Sequence, residues 1–193
     1  MPSILPRPAD FPASPWIERF IPLIPRAGRV LDLAAGGGRH VRLLRARGFP
    51  VTAVDRDTAL LRTDFAGDPG VEIVTIDLEN GEPWRLGQGF DGIVVANYFH
   101  RPLFPALVDA LAPGGAVLYE TFMQGNERFG RPSNPDFLLR PGELLQAFGA
   151  LTIVAFEQGI VDQPRPAAVQ RIAAIKAKEA ALPGWSTPPP SAS

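Results

Sequence analysis

The chain has 193 residues, a formal net charge of -1 at pH 7 and no cysteine. This length suits one domain with a substantial core, and the near-zero charge gives no electrostatic signal for nucleic acid or a membrane surface. A chain without cysteine has no disulfide, thiolate zinc site or cysteine nucleophile. Residues 1–10 do not resemble a signal peptide, and no apolar run reaches the length of a membrane span. We therefore expect a soluble, cytoplasmic protein.

Prolines cluster at both ends of the chain and predict its domain organisation. We expect an irregular N-terminal segment over 1–13 and one domain over 14–178. Residues 179–193 carry few groups that a core could bury, so we expect a disordered tail there.

Apolar periodicity and turn residues predict five helices and seven strands. The helices are expected from Pro15 to about Pro22, from a glycine turn to Gly48, from a cap at Asp57 through Leu61, from Pro102 through the apolar stripe ending at Leu111, and from Pro141 to Gly149. The strands are expected at 29–34, 51–55, 71–77, 90–97, 116–122, 151–161 and 167–177.

The alternation of strands and helices predicts an α/β fold with a doubly wound, mostly parallel sheet. The last two strands are joined by a short loop that holds no helix, so they should form an antiparallel hairpin. Ligands of such sheets bind at the carboxyl ends of the strands, where the strand order reverses. Candidate functional residues are therefore those that directly follow each strand.

The run VLDLAAGGGRH at 30–40 is the most informative motif. It combines an apolar strand, a glycine turn and a helix start, which together suit a nucleotide-bearing ligand with a negative group. Asp55 ends the next strand 23 residues after Asp32, and an acid near that spacing commonly binds ribose hydroxyls. Asp55 could instead cap the following helix, and Asp32 could bind backbone amides of its own turn.

The sequence matches neither of two common phosphate-binding motifs. A dinucleotide fingerprint needs G-x-G-x-x-G, but Val41 stands where the third glycine after Gly36 and Gly38 should be. No G-x-x-x-x-G-K-[ST] run occurs either. A nicotinamide oxidoreductase is therefore disfavoured, and so is a nucleoside triphosphatase.

Over about residues 28–176 the sequence resembles the class I S-adenosylmethionine-dependent methyltransferases. Their motif is acid-x-Gly-x-Gly-x-Gly; Asp32, Gly36 and Gly38 match it, and Ala34 replaces the first glycine. The Leu-Ala-Pro-Gly-Gly run at 111–115 resembles the turn before the family's fifth strand. NYFHRPLFP and YETFMQGNERFGRPSNPDFLLRPGEL are similar to small bacterial members near the tellurite-resistance type. The resemblance implies a Rossmann-like seven-stranded sheet with an antiparallel last strand in an α/β/α sandwich.

The resemblance also implies a binding site for S-adenosylmethionine, with S-adenosylhomocysteine as the product. Asp55 falls where the family places its ribose-binding acid, and the loop of Asp77, Leu78 and Glu79 falls where adenine is contacted. The expected cofactor-binding residues are Asp32, Ala34, Gly36, Gly38, Asp55, Arg56, Asp77, Leu78 and Asn97.

Residues after the fourth and fifth strands are the candidates for catalysis and acceptor binding. His100 could accept a proton from the acceptor, or it could be a half-buried histidine bonded to its loop. Tyr98 or Phe99 could offer a ring face to the cationic sulfur. Arg101, Glu120 and Arg131 could contact the acceptor, or they could be a satisfied carboxylate and solvated loop charges. His40 is expected to pack or cap. The long loop 124–140 is a candidate lid.

We therefore predict methyl transfer to an unidentified small-molecule acceptor by in-line displacement. A base is optional, because alignment of the acceptor atom, methyl and sulfur supplies much of the rate. Two histidines and scattered acids predict no metal site, and the charge predicts no nucleic-acid partner. The alternative is a non-catalytic module of the same fold that binds S-adenosylmethionine or a partner protein.

Overall fold

The structure is a computed structural model that describes residues 11–177. Most of the N-terminal segment 1–13 and the whole predicted tail 179–193 lie outside the described residues. Residues 11–13, which are described, have no helix or strand.

A single seven-stranded sheet organises the chain, with the order β3-β2-β1-β4-β5-β7-β6. The strands are β1 Val30–Leu33, β2 Val51–Asp55, β3 Val71–Thr75, β4 Phe90–Ala96, β5 Leu111–Phe122, β6 Thr152–Val161 and β7 Ala167–Ile175. The ladders from β3 to β5 are parallel, whereas β7 pairs antiparallel with both β5 and β6. The predicted fold class, a mostly parallel sheet with an antiparallel last strand, is confirmed.

Helices cover both faces of this sheet. They are α1 Pro15–Phe20, α2 Arg39–Ala46, α3 Ala59–Asp64, α4 Phe104–Ala110 and α5 Glu143–Ala147. One apolar cluster packs α1, α2 and α3 against one face, and a second packs α4 and α5 against the other. The central strands are consequently buried on both sides, as parallel strands in such sandwiches are.

The start of α1 agrees with its sequence pattern. Pro15 occupies the first turn, and the Ser14 hydroxyl accepts hydrogen bonds from the amides of Trp16 and Ile17. The Trp16 indole Nε1 donates to the carbonyl of Ile172 at 3.3 Å. This bond ties α1 to β7, although the two are far apart in sequence.

The segment between β4 and β5 differs from the prediction. The expected helix from Pro102 is a 3-10 turn at Arg101–Leu103, and α4 begins only at Phe104. The stripe residue Leu111 is the first residue of β5, not the last of the helix, because it pairs with Phe90 on β4. The strand predicted at 116–122 therefore begins five residues earlier, since tertiary pairing outweighs the turn pattern of Ala-Pro-Gly-Gly.

The start of α3 is a smaller difference. Asp57 was expected to cap this helix, but the N-cap position belongs to Thr58, whose side chain makes no capping bond. The Asp57 carboxylate still accepts from the amide of Ala59 at 3.1 Å, so it satisfies one free donor of the first turn.

Within residues 11–177 we find no helix that is both long and apolar enough to cross a membrane. A cytoplasmic location stays a prediction.

Candidate functional site

The glycine turn between β1 and α2 has a left-handed backbone at three positions, and the space beside one of them is open. Ala34, Gly36 and Gly38 have φ angles of 55°, 54° and 75°. A Cβ built on Gly38 would lie 2.6 Å from the Phe65 ring, so this position needs glycine for packing as well. A Cβ on Gly36 would meet nothing within 4 Å, which leaves its backbone open to a ligand.

Asp55 connects this turn to the end of β2. One carboxylate oxygen accepts from the amide of Gly36 at 2.8 Å, and the other accepts from the amide of Asp57 at 3.0 Å. Each oxygen keeps a further acceptor position, because a carboxylate oxygen has two lone pairs. The side chain thus supports the turn and still presents acceptors to a diol.

A first cavity of about 430 Å³ opens at the carboxyl ends of β1, β2 and β3. Its lining includes seven residues singled out from the sequence: Ala34, Asp55, Arg56, Asp77, Leu78, Glu79 and Tyr98. It also includes Ile76 and Phe137. Ile76 lies one residue before a predicted strand end, whereas Phe137 comes from a distant loop that no local pattern places here.

Tyr98 lines this cavity from the end of β4. Burial, followed by the nearby carboxylates of Glu79 and Asp77, raises the pKa of its hydroxyl well above the ordinary value. Tyr98 therefore stays a neutral phenol at physiological pH. Tyr98 lines the cavity, while its hydroxyl oxygen is buried and has no hydrogen-bond partner among the described residues.

Asp32 is the most unusual acid of the site. It is 1% exposed, and its Oδ2 has no hydrogen-bond partner among the described residues. Its carboxylate accepts a bond from the Val41 amide, at the start of α2. Burial raises the pKa of Asp32 to about 7, and the negative Asp55 adds to the rise while Arg39 opposes it. The site thus holds a buried carboxyl group in need of a cationic or donor partner.

Further charges surround Asp32. Burial lowers the pKa of the Arg39 guanidinium, and the carboxylates of Glu120 and Asp32 act in the opposite direction. Glu120, expected at the acceptor, is instead buried and forms an ion pair with Arg171 across the β5–β7 ladder, with a separation of 2.5 Å. Arg171 therefore pairs with Glu120, whereas Arg39 lies near Asp32 but forms no ion pair with it.

Phe99 and Arg101 do not line the first cavity, nor do they line a second cavity at the ends of β4 and β5. Phe99 is buried against Phe104, and the guanidinium of Arg101 lies 4.4 Å above its ring. Arg101 also binds both carboxylate oxygens of Glu143, at 2.6 and 3.0 Å, and the carbonyls of residues 136 and 138. Four of its five N–H donors are thus bonded to the protein itself.

The two histidines have different surroundings. His100 is half-buried, begins the 3-10 turn after β4, and does not line either cavity. His40 is buried, and its Nε2 accepts from the amide of Ser14 at 3.1 Å. Burial lowers the pKa of His40 to about 3, so this ring is neutral. It packs and fixes the start of α1, as expected.

A second cavity, of about 490 Å³, lies at the ends of β4 and β5 and shares Phe137 with the first. Asn97, placed with the cofactor residues from its position in the sequence, lines this second cavity, with a left-handed φ of 58°. Arg131 also lines it, together with Arg165 from the loop between β6 and β7. Because β7 is antiparallel, the loop before it lies at the carboxyl ends of the parallel strands. The predicted hairpin could therefore have indicated Arg165 as a site residue.

The loop 124–140 packs against the domain at both ends. Met123 and Leu139 form an isolated bridge, and Leu138 and Leu139 are buried. Phe137 is half exposed and separates the two cavities. The loop thus forms a wall of both cavities, and a role as a lid stays a prediction.

None of the described residues form a cluster of three or more histidine, cysteine or acidic side chains that could hold a metal ion.

The sheet order and the cavity at the switch point define a Rossmann-like cofactor-binding fold of the methyltransferase type. Residues 9–152, well over half of the chain, match a family described as "Methyltransferase domain". The chain belongs to this family. The expected methyltransferase family is thereby confirmed, and solved structures of S-adenosylmethionine-dependent methyltransferases share its fold.

Three solved structures illustrate the similarity. TehB from Haemophilus influenzae is 17% identical with a TM-score of 0.64, over 77% of this chain and 57% of that one. An S-adenosylmethionine-dependent methyltransferase from Mesorhizobium loti is 20% identical with a TM-score of 0.63, over 81% and 95%. A TehB-like enzyme from Corynebacterium glutamicum is 20% identical with a TM-score of 0.58, over 81% and 85%. This chain therefore spans little more than half the length of TehB. No curated protein matches the sequence.

Proposed function

We propose that this protein transfers the methyl group of S-adenosylmethionine to a small-molecule acceptor. The observation that carries the proposal is the first cavity, which lies beside the open backbone of Gly36 and is lined by acids at successive strand ends. Its volume of about 430 Å³ is of the size that small cofactors occupy. Glycopeptide methyltransferase structures with the same fold contain sinefungin or S-adenosylhomocysteine, which supports the choice of ligand.

Residues that line the cavity, and two charged residues near it that do not line it, fit the parts of this ligand. Asp55 offers acceptors to the ribose hydroxyls, and Asp77 and Leu78 lie where they can contact the adenine ring. The unpartnered Oδ2 of Asp32 suits the ligand's ammonium group, and Arg39 beside it suits the carboxylate. The buried, unsatisfied carboxyl of Asp32 is the structural observation that favours a cationic ligand.

When bound, S-adenosylmethionine supplies an electrophilic methyl group: the acceptor atom forms the new bond to carbon while the carbon–sulfur pair returns to sulfur. The protein contributes alignment of the three atoms, which alone supplies several kcal/mol. Tyr98 presents its ring to the cationic centre. His100 remains a candidate base for an acceptor that loses a proton, but a soft nucleophile needs none.

Calorimetric titration with S-adenosylmethionine, S-adenosylhomocysteine and NADH tests the proposal. We expect micromolar binding of the two adenosyl ligands and none of NADH. Asp55→Ala should weaken S-adenosylhomocysteine binding roughly tenfold or more, because a charged acceptor for two hydroxyls is lost.

Asp91→Ala is the matched control. Asp91 also holds a loop amide, that of Arg29, at 2.8 Å, but it lies at the opposite edge of the sheet. It should lower stability without changing affinity. Equal losses in the two variants, or preference for NADH, would refute the cofactor assignment. Tight binding without turnover on any acceptor would instead indicate the non-catalytic module.

A further inference from the structure

The second cavity carries two positive charges that have no partner among the described residues. Arg131 and Arg165 both line it, and neither has a hydrogen bond or ion pair with any residue between 11 and 177. No aspartate or glutamate contributes to the lining. Guanidinium groups that line one cavity without a counter-charge can donate charge-assisted hydrogen bonds to an anion bound there.

The two arginines are brought together by a buried amide. The Nδ2 of Asn126 donates to the carbonyl of Pro132 at 2.9 Å, and its Oδ1 accepts from the amide of Ala168 at 3.2 Å. Asn126 is only 1% exposed. It thereby joins the backbone next to Arg131 to the strand that follows Arg165, and it fixes the distance between two segments that are far apart in sequence.

The rest of the lining combines two aromatic rings with uncharged polar residues and adjoins the first cavity. Phe122 and Phe137 contribute rings, and Phe137 is the wall shared with the first cavity. Asn97, at the end of β4, stands next in sequence to Tyr98 of the first cavity. A molecule in the second cavity would thus lie beside the cofactor cavity, with its apolar body against the rings.

We propose that the acceptor is a small organic anion, whose carboxylate or phosphate group binds Arg131 and Arg165 while its apolar body packs on Phe122 and Phe137. This inference rests on the proposed methyl transfer. The cavity volume of about 490 Å³ exceeds what an inorganic oxyanion fills and lies within the range of small-molecule sites. Arginine pairs of this kind bind planar or tetrahedral anions through charge-assisted hydrogen bonds.

Titration with paired probes tests this inference. Benzoate and phenyl phosphate supply the two anions, and benzamide and phenol are their uncharged counterparts. We expect wild-type protein to bind both anions more tightly than the neutral probes, in the presence and absence of S-adenosylhomocysteine. The anion that binds more tightly identifies carboxylate or phosphate as the natural group.

Substitutions assign the binding to this cavity. Arg131→Gln with Arg165→Gln should weaken anion binding roughly tenfold or more and leave neutral probes unaffected, because two charge-assisted contacts are lost. Arg131→Lys should retain most of the affinity. Arg26→Gln, which removes an exposed arginine before β1 at the opposite edge of the sheet, should have no effect.

The outcomes separate this inference from the function on which it rests. If the neutral probes bind as well as the anions, or if Arg26→Gln weakens binding as much as the double variant, the anion site is refuted. The affinity for S-adenosylhomocysteine, measured in the same variants, should not change. If that ligand fails to bind wild-type protein, the methyl-transfer proposal falls on its own evidence.

Discussion

The carboxyl group of Asp32 makes the candidate site sensitive to pH. Burial raises its pKa from 3.8 to about 7, so between these values the folded protein holds a proton that the unfolded chain has released. Stability should therefore decrease as the pH rises through this window. A cationic ligand pairs with the ionised form of Asp32, so ligand binding favours loss of the proton.

This reversal predicts the pH dependence of ligand binding. The affinity for S-adenosylhomocysteine should rise roughly tenfold between pH 5.5 and 7 and then level off, because each pH unit below the pKa costs a factor of ten. Calorimetry across this range measures the effect. The increase in affinity requires the ligand's ammonium group. Adenosine lacks that group, so its affinity should not change with pH.

Asp32→Asn provides the control for this prediction. The amide cannot ionise, so the variant should bind more weakly and with little dependence on pH. The same slope in Asp32→Asn as in wild type would show that another group is responsible.

Local chemistry is the part of the site that the sequence predicts well. Asp55 ends β2 and Asp77 comes two residues after β3, so their positions in the sequence bring them to one edge of the sheet. The ion pairs of Glu120 and Arg101 could not be predicted from their positions in the sequence. Their partners, Arg171 and Glu143, lie 51 and 42 residues further along the chain and are brought near only by folding.

Among the elements, the loop 124–140 depends on Arg101 for its position. The guanidinium joins Glu143, at the start of α5, to the carbonyls of Asp136 and Leu138. These two residues flank Phe137, the wall between the cavities. Arg101 is thus a positioning residue for the loop.

Loss of the Arg101 contacts should make the loop around Phe137 less ordered. We expect Arg101→Met to lower the free energy of unfolding by about 1–2 kcal/mol, because the largely buried carboxylate of Glu143 loses its partner, whereas the partial exposure of Arg101 weakens the pair. The KM for the acceptor should rise more than kcat falls, and the affinity for S-adenosylhomocysteine should change little. Chemical denaturation and steady-state kinetics measure these quantities.

Arg85→Met is the comparison for Arg101→Met. Arg85 pairs with Glu82 at 3.6 Å, and both side chains are more than half exposed. Arg85→Met should lower the free energy of unfolding by less than about 0.5 kcal/mol. If both variants lose the same stability and retain the same KM, the anchoring role is wrong.

Elements with clear start or stop residues agree best with prediction. Ser14 and Pro15 begin α1 as expected, whereas Leu111 belongs to a strand although its spacing continues a helical stripe. The difference lies in the source of each signal. A cap is a local hydrogen bond, but the pairing of Leu111 with Phe90 is a tertiary contact that a helical pattern does not contain.

For the whole molecule, the sheet order explains why the two cavities are neighbours. Strands β1 to β5 run parallel, and antiparallel β7 returns the chain so that the loop after β6 reaches the same edge. That edge carries the acids of the first cavity and the arginines of the second. Strand alternation predicts this edge as the functional one, but it does not predict which loop residues meet there.

The most direct test of the account is a crystal structure with S-adenosylhomocysteine bound. We predict density for adenosine in the first cavity, with the ribose at Asp55, the adenine at Asp77 and Leu78, and the ammonium at Asp32. The sulfur should point toward the second cavity. Density elsewhere, or a ligand whose ammonium avoids Asp32, would contradict the account.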